Sequence, residues 1–184
     1  ADELRCLGFG IPVSGLSGCA APSISGVNAH FAHYGALSAQ GFDTLSLDDF
    51  MTSSDLAGAA IQGSLFFSMG CHAGFNAPDR DSEAADPGLG IDPALDFAQA
   101  MAIQRALFVA STGFGLGDTV GLGGTEKLLA NFAGELMPGD VAAGAALVAA
   151  KRSYVNSLSA MTVYDEKSTI QTTMYGLPMY RIVT

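Results

Sequence analysis

Two short apolar runs, residues 64–69 and 106–110, do most to restrict what this chain can fold into. The first reads Ser64-Leu65-Phe66-Phe67-Ser68-Met69 and the second Ala106-Leu107-Phe108-Val109-Ala110. A strand with one wet face alternates polar and apolar side chains, whereas a run without that alternation belongs to a strand covered on both faces. Each run opens directly into small residues: Gly70-Cys71-His72-Ala73-Gly74 after the first and Ser111-Thr112-Gly113-Phe114-Gly115 after the second. In parallel sheets, ligands bind at the carboxyl ends of the strands. A thiol placed there is fixed by the strand and opened to substrate by the turn, which suits a nucleophile.

The other segments fit the same architecture. Residues 24–31 read as a further strand, and residues 4–9 as a short one within an otherwise irregular segment, 1–22. Residues 47–50 fit one helical turn begun by Ser46. Asp92 as N-cap and Pro93 as first residue predict a helix over 93–104. Its buried side would be Leu95, Ala98 and Ala102, with Phe97 and Met101 at the edge. Leu128, Leu129, Phe132 and Leu136 recur at helical spacing within 126–137. Asp140 is placed to cap an alanine-rich helix over 141–157, with Lys151 and Arg152 toward its negative end. Residues 172–182 close the chain as strand or turn around Gly176-Leu177-Pro178. Residues 76–93 carry Asp79, Arg80, Asp81, Glu83, Asp86 and Asp92 among Pro78, Pro87 and Gly88, without an apolar period, and predict a long exposed acidic loop. The sum is one α/β domain over 1–184, a mainly parallel sheet flanked by helices, without internal repeats.

Composition removes several functional classes. Hydrophobic residues make up 49% of the chain and charged residues 14%, as in a globular protein and unlike a disordered one. No apolar run approaches the roughly 18 residues that cross a bilayer, so no membrane partner is expected. A formal net charge of −10 would repel phosphates, which argues against nucleic-acid partners. The three cysteines leave two readings open. Either Cys6 and Cys19 form a disulfide, implying secretion to an oxidising extracellular or cell-envelope setting, or all three are thiols.

Metal and cofactor signals are weak. No Cys-x-x-Cys pair is present, and His30 and His33 on one strand would face opposite sides, so no metal site is expected. The acidic loop lacks the turn glycine and closing glutamate of a helix-loop-helix calcium site. The series Gly113-x-Gly115-x-Gly117 departs from the dinucleotide fingerprint, no Gly-Lys-Ser/Thr follows, and Asp118 would oppose a phosphate. A nucleotide-binding domain is therefore the weakest alternative, and no cofactor is expected.

Cys71 is the strongest chemical candidate, although a small packed thiol is the plainer reading of that segment alone. A free thiol titrates near about pH 8.5 and needs an imidazole or positive dipole to be a thiolate at neutral pH. His33, where a strand would turn into a loop at Tyr34-Gly35, is favoured as the base; His30, further inside, is the alternative. His72 follows Cys71 directly and should point away from it. Gly70, beside the thiol, would let backbone amides approach an oxyanion.

Three segments, taken together, resemble the gingipain-like cysteine peptidases, relatives of the caspases with a caspase-haemoglobinase fold. Val27-Asn28-Ala29-His30-Phe31-Ala32-His33-Tyr34-Gly35 is similar to the strand ending in that family's catalytic His-Gly. Phe66-Phe67-Ser68-Met69-Gly70-Cys71-His72-Ala73-Gly74-Phe75 is similar to the strand ending in its cysteine. Leu107-Phe108-Val109-Ala110-Ser111-Thr112, and later Tyr175-Gly176-Leu177-Pro178, look like its substrate-pocket strand and closing segment. The resemblance covers residues 23 to 184 and implies peptide-bond hydrolysis by a Cys71/His33 dyad, with Gly35 and Gly70 near the oxyanion. It further implies a polypeptide substrate with a basic P1 residue, a pocket from Ser111, Thr112, Gly113 and Asp118, and processing at Arg80. The chain departs from the family in Tyr34, inserted between His33 and Gly35, and in Leu177, where the family has aspartate. The family's earlier strands also have no counterpart in 1–22, so a partner chain or the remainder of a larger protein would complete the sheet. The alternative within the same fold is an inactive module for protein assembly or recognition.

Overall fold

In the computed structural model, residues 23–27, 29–31, 35–37, 50–56, 58–76 and 95–182 are described. The strands are β1 (Ile24–Gly26), β2 (His30–Phe31), β3 (Gly35–Leu37), β4 (Phe50–Thr52), β5 (Leu65–Ser68), β6 (Leu107–Ser111) and β7 (Thr172–Tyr175). The helices are α1 (Phe97–Ile103), α2 (Gly124–Leu136), α3 (Ala143–Asn156) and α4 (Val163–Gln171), with a 3-10 turn at Ser53–Leu56. A four-stranded sheet runs in the order β1-β5-β6-β7, and a separate three-stranded one in the order β2-β3-β4. β1, β5 and β6 are mutually parallel, and β7 returns antiparallel on β6. The expected α/β architecture with a mostly parallel sheet is therefore present.

The two apolar runs form β5 and β6, which lie at the centre of the sheet and send alternate side chains to opposite cores. Phe66, Phe108 and Ala110 join Phe31, Phe97 and Met101 on one face. Leu65, Leu107 and Val109 join Leu128, Phe132, Leu147 and Tyr154 on the other. Every residue of β6 is buried, and each large side chain fully buried in this way contributes about 1.5–3 kcal/mol. The first core is roofed by α1 and the small antiparallel sheet, the second by α2 and α3.

Several boundaries differ from expectation. The strand over 24–31 is broken: β1 stops at Gly26, and His30–Phe31 pairs antiparallel with β3 in the other sheet. Phe50 begins a strand instead of ending a helical turn. α1 starts at Phe97, because Asp96 and Gln99 form a reciprocal capping box that fixes the first turn there. Asp140 does not cap α3. The first N–H groups of that helix instead meet returning chain, Ala143 donating to the Tyr180 carbonyl at 3.0 Å and Gly144 to that of Pro178 at 2.8 Å. Asp140 pairs with Arg181 at 3.2 Å, both exposed. Lys151 turns from its own helix end and donates to the Thr172 carbonyl at 2.7 Å, the C-cap of α4. The expected strand at 4–9, the N-cap Asp92 and, after Asn76, the acidic loop over 76–93 lie outside the described residues, as do Cys6 and Cys19.

Candidate functional site

β5 delivers Cys71 into a tight turn over residues 70–74 at the carboxyl edge of the sheet. Ser68, fully buried, accepts the Gly70 N–H on its hydroxyl at 3.0 Å. The chain then reverses through His72, whose φ of 59° lies in the left-handed region. Within the turn, Ala73 N–H reaches the Gly70 carbonyl at 3.2 Å and Phe75 N–H that of His72 at 2.9 Å. Cys71 carries a free, half-buried thiol.

The turn is laid across the end of β6. His72 donates its N–H to the Gly113 carbonyl at 2.7 Å, and Gly74 donates to the Ser111 carbonyl at 2.9 Å. A Cβ on Gly74 would stand 2.9 Å from the Ala110 carbonyl oxygen, so only glycine allows this approach. The loop after β6 closes from above: a Cβ on Gly115 would lie 1.7 Å from the Met69 carbonyl oxygen. The Tyr175 hydroxyl, at the end of β7, donates to the Gly74 carbonyl. The ring of His72 meets Phe114 edge-on at 4.7 Å and Phe75 at 5.9 Å.

The histidine-bearing segment passes over the same turn. A Cβ at Gly70 would fall 2.2 Å from the Phe31 ring and 2.9 Å from the Ala29 carbonyl oxygen. Ala29 and Phe31 flank His30, whose backbone opens β2 opposite Leu37. His33 lies outside the described residues, as does Arg80. Gly35 is buried in β3 opposite Thr52. Gly70 fills a different role from the one expected: its N–H is engaged by Ser68, and its missing side chain makes room for Phe31.

The expected pocket residues fall into two groups. Ser111 and Gly113 are joined to the Cys71 turn through their carbonyls, with Thr112 between them. Ser111 is completely buried, and its hydroxyl has no hydrogen-bond partner among the described residues. Thr112 donates its N–H and hydroxyl to the Gln171 carbonyl at 3.0 and 3.3 Å. Asp118 is exposed and accepts the Val120 N–H at 3.1 Å, forming a turn within its own loop. Tyr175 and Gln171 were not singled out as site residues by the sequence. Gln171 packs its amide beside Gly113, where a Cβ would stand 2.8 Å away, and Tyr175 reaches a turn 101 positions earlier. No local spacing signals either contact.

Burial pushes the Tyr175 phenol above its ordinary titration range, and the charge of Asp96 adds to the effect. Among the described residues, no group of three or more His, Cys, Asp or Glu side chains could hold a metal ion. No described helix is long and apolar enough to cross a membrane. The chemistry such an arrangement can support is that of a half-exposed thiol held by backbone hydrogen bonds at a sheet edge. In comparisons with family models, curated proteins and solved structures, nothing matches this chain.

Proposed function

We propose that this chain is a cysteine peptidase of the gingipain-like, caspase-haemoglobinase type, with Cys71 as nucleophile and His33 as acid and base. The observation that carries the reading is the adjacency of β1 and β5. They are parallel neighbours, so the chain leaving each emerges at the same edge of the sheet. After β1 the chain crosses Gly70, with the Ala29 carbonyl and the Phe31 ring against it. That crossing brings the histidine segment to the residue preceding the thiol.

In this mechanism the imidazole takes the proton of Cys71 and the sulfur adds to the scissile carbonyl. Collapse of the adduct expels the amine, which takes the proton back from the imidazole; water then hydrolyses the acyl-enzyme. With its N–H bound to Ser68, Gly70 is not an oxyanion donor here. A basic P1 residue is suggested by Asp118, an exposed carboxylate on the loop whose Gly113 carbonyl holds His72, and by the net charge of −10.

Hydrolysis of fluorogenic peptides with Arg or Lys at P1 tests the proposal. Cys71→Ser is expected to abolish turnover, and His33→Ala to reduce kcat by about 10²-fold or more. Turnover undiminished in Cys71→Ser would end the reading. A wild-type protein that cleaves nothing and whose Cys71 alkylates at an ordinary thiol rate would favour the inactive assembly module.

A further inference from the structure

The Gly70–Gly74 turn is fastened to β6 by backbone hydrogen bonds and to β7 by a side chain. Its far end, Gly74, is held at both polar atoms: the N–H by the Ser111 carbonyl at 2.9 Å, the carbonyl by the Tyr175 hydroxyl. We infer that Tyr175 is a positioning residue for Cys71, its hydroxyl setting where the thiol stands relative to the sheet edge. As a contribution to catalysis this rests on the proposed peptidase function. As a constraint on the thiol it stands on the hydrogen bond alone.

The placement is specific. Tyr175 is the last residue of β7, opposite Phe108 in the ladder, and Gly176 follows with a φ of 124°, a conformation that takes the chain away immediately after it. The ring packs against the core shared by Phe66, Phe97 and Phe108, so the phenol can reach only a limited set of acceptors. Gly74 itself has no side chain through which another group could hold it. Loss of the hydroxyl leaves the Gly74 carbonyl to find another donor, and the turn would shift with it.

The experiment follows alkylation of Cys71 by iodoacetamide, read by mass spectrometry of the Cys71 peptide, from about pH 5 to pH 9. Three variants are compared with wild type: Tyr175→Phe, Tyr154→Phe and His33→Ala. Tyr154 is fully buried in the opposite core and gives its hydroxyl to Asp165, away from the Cys71 turn, so Tyr154→Phe reports the cost of losing a bonded phenol hydroxyl elsewhere in the fold. Thermal melting verifies that each variant folds. Tyr175→Phe is expected to change the alkylation rate about five- to tenfold and move the midpoint of its pH profile, with Tyr154→Phe within about twofold of wild type. Where peptides are cleaved, Tyr175→Phe lowers kcat with little change in KM. A Tyr175→Phe profile that overlays wild type, or one no different from Tyr154→Phe, overturns the inference. His33→Ala reads the dyad separately: if it leaves the profile unchanged, the peptidase reading fails while the Tyr175 result still stands.

Discussion

At the scale of single residues, the most consequential positions are those where a side chain is impossible or uniquely required. Gly115 is the clearest. With the Met69 carbonyl 1.7 Å from where its Cβ would be, Gly115→Ala must displace either the loop or the strand end that carries Cys71. Backbone cannot rotate aside as a flexible side chain can, so we expect a loss of several degrees in the melting midpoint together with altered Cys71 reactivity. Thermal denaturation alongside thiol labelling checks both. Tyr154 makes a second residue-level case. It is buried on all sides, and burial, then its hydrogen bond to Asp165 and the charge of that carboxylate, push the phenol up to about 12. A raised folded-state pKa means stability that is complete below the ordinary value of 10.0 and lost as pH climbs toward about 12. The melting midpoint should therefore fall through that window, and Tyr154→Phe should flatten the fall.

Among elements, α1 shows what was legible in the sequence and what was not. Its buried side is legible from spacing only in part: Ala98 is buried as expected, but Phe97 and Met101, expected at the edge, are buried and Ala102 is exposed. Its start could not be read. Asp92-Pro93 and Asp96-x-x-Gln99 are both sound N-terminal signals, and the second one prevails because both of its reciprocal bonds form. Removing the cap by Asp96→Ala is expected to cost about 1 kcal/mol, measured by urea denaturation. The same helix ends on Arg105, with a φ of 57°. Ala106 N–H returns to the Met101 carbonyl and Arg105 N–H to that of Ala102, the pairing usually completed by glycine. Arg105→Gly should therefore stabilise the protein, by about 0.5–1 kcal/mol after the extra freedom of unfolded glycine is set against the relieved strain. α4 escaped sequence reading because it has no apolar stripe: Val163, Tyr164 and Ile170 are exposed and Ser168 is its buried residue. Only Thr162-x-x-Asp165, a capping box that does form, announced it. The small sheet β2-β3-β4 was equally hidden, since strands of two or three residues leave too few positions for any alternation to register.

For the whole molecule, the placement of Cys71 and of Ser111 to Gly113 at one sheet edge followed from two apolar runs. Their hydrogen-bonded union with each other and with Tyr175 did not, because it depends on glycines meeting backbone across the fold. The core that supports this edge is divided by the sheet, and damage should be felt across it. Phe132 is fully buried and meets Phe67 of β5 edge-on at 5.9 Å. Phe132→Ala is expected to remove about 3–5 kcal/mol, read from chemical denaturation. The order β1-β5-β6-β7 has one more consequence. β5 is shielded by a neighbour on either side and by a core above and below, so its amide protons should be among the slowest to exchange with deuterium. Their release would then require opening of the whole domain rather than fraying of an end. The thiol therefore hangs from one of the two interior strands of this sheet, where its backbone is held against local fraying and any partner must come to the sulfur.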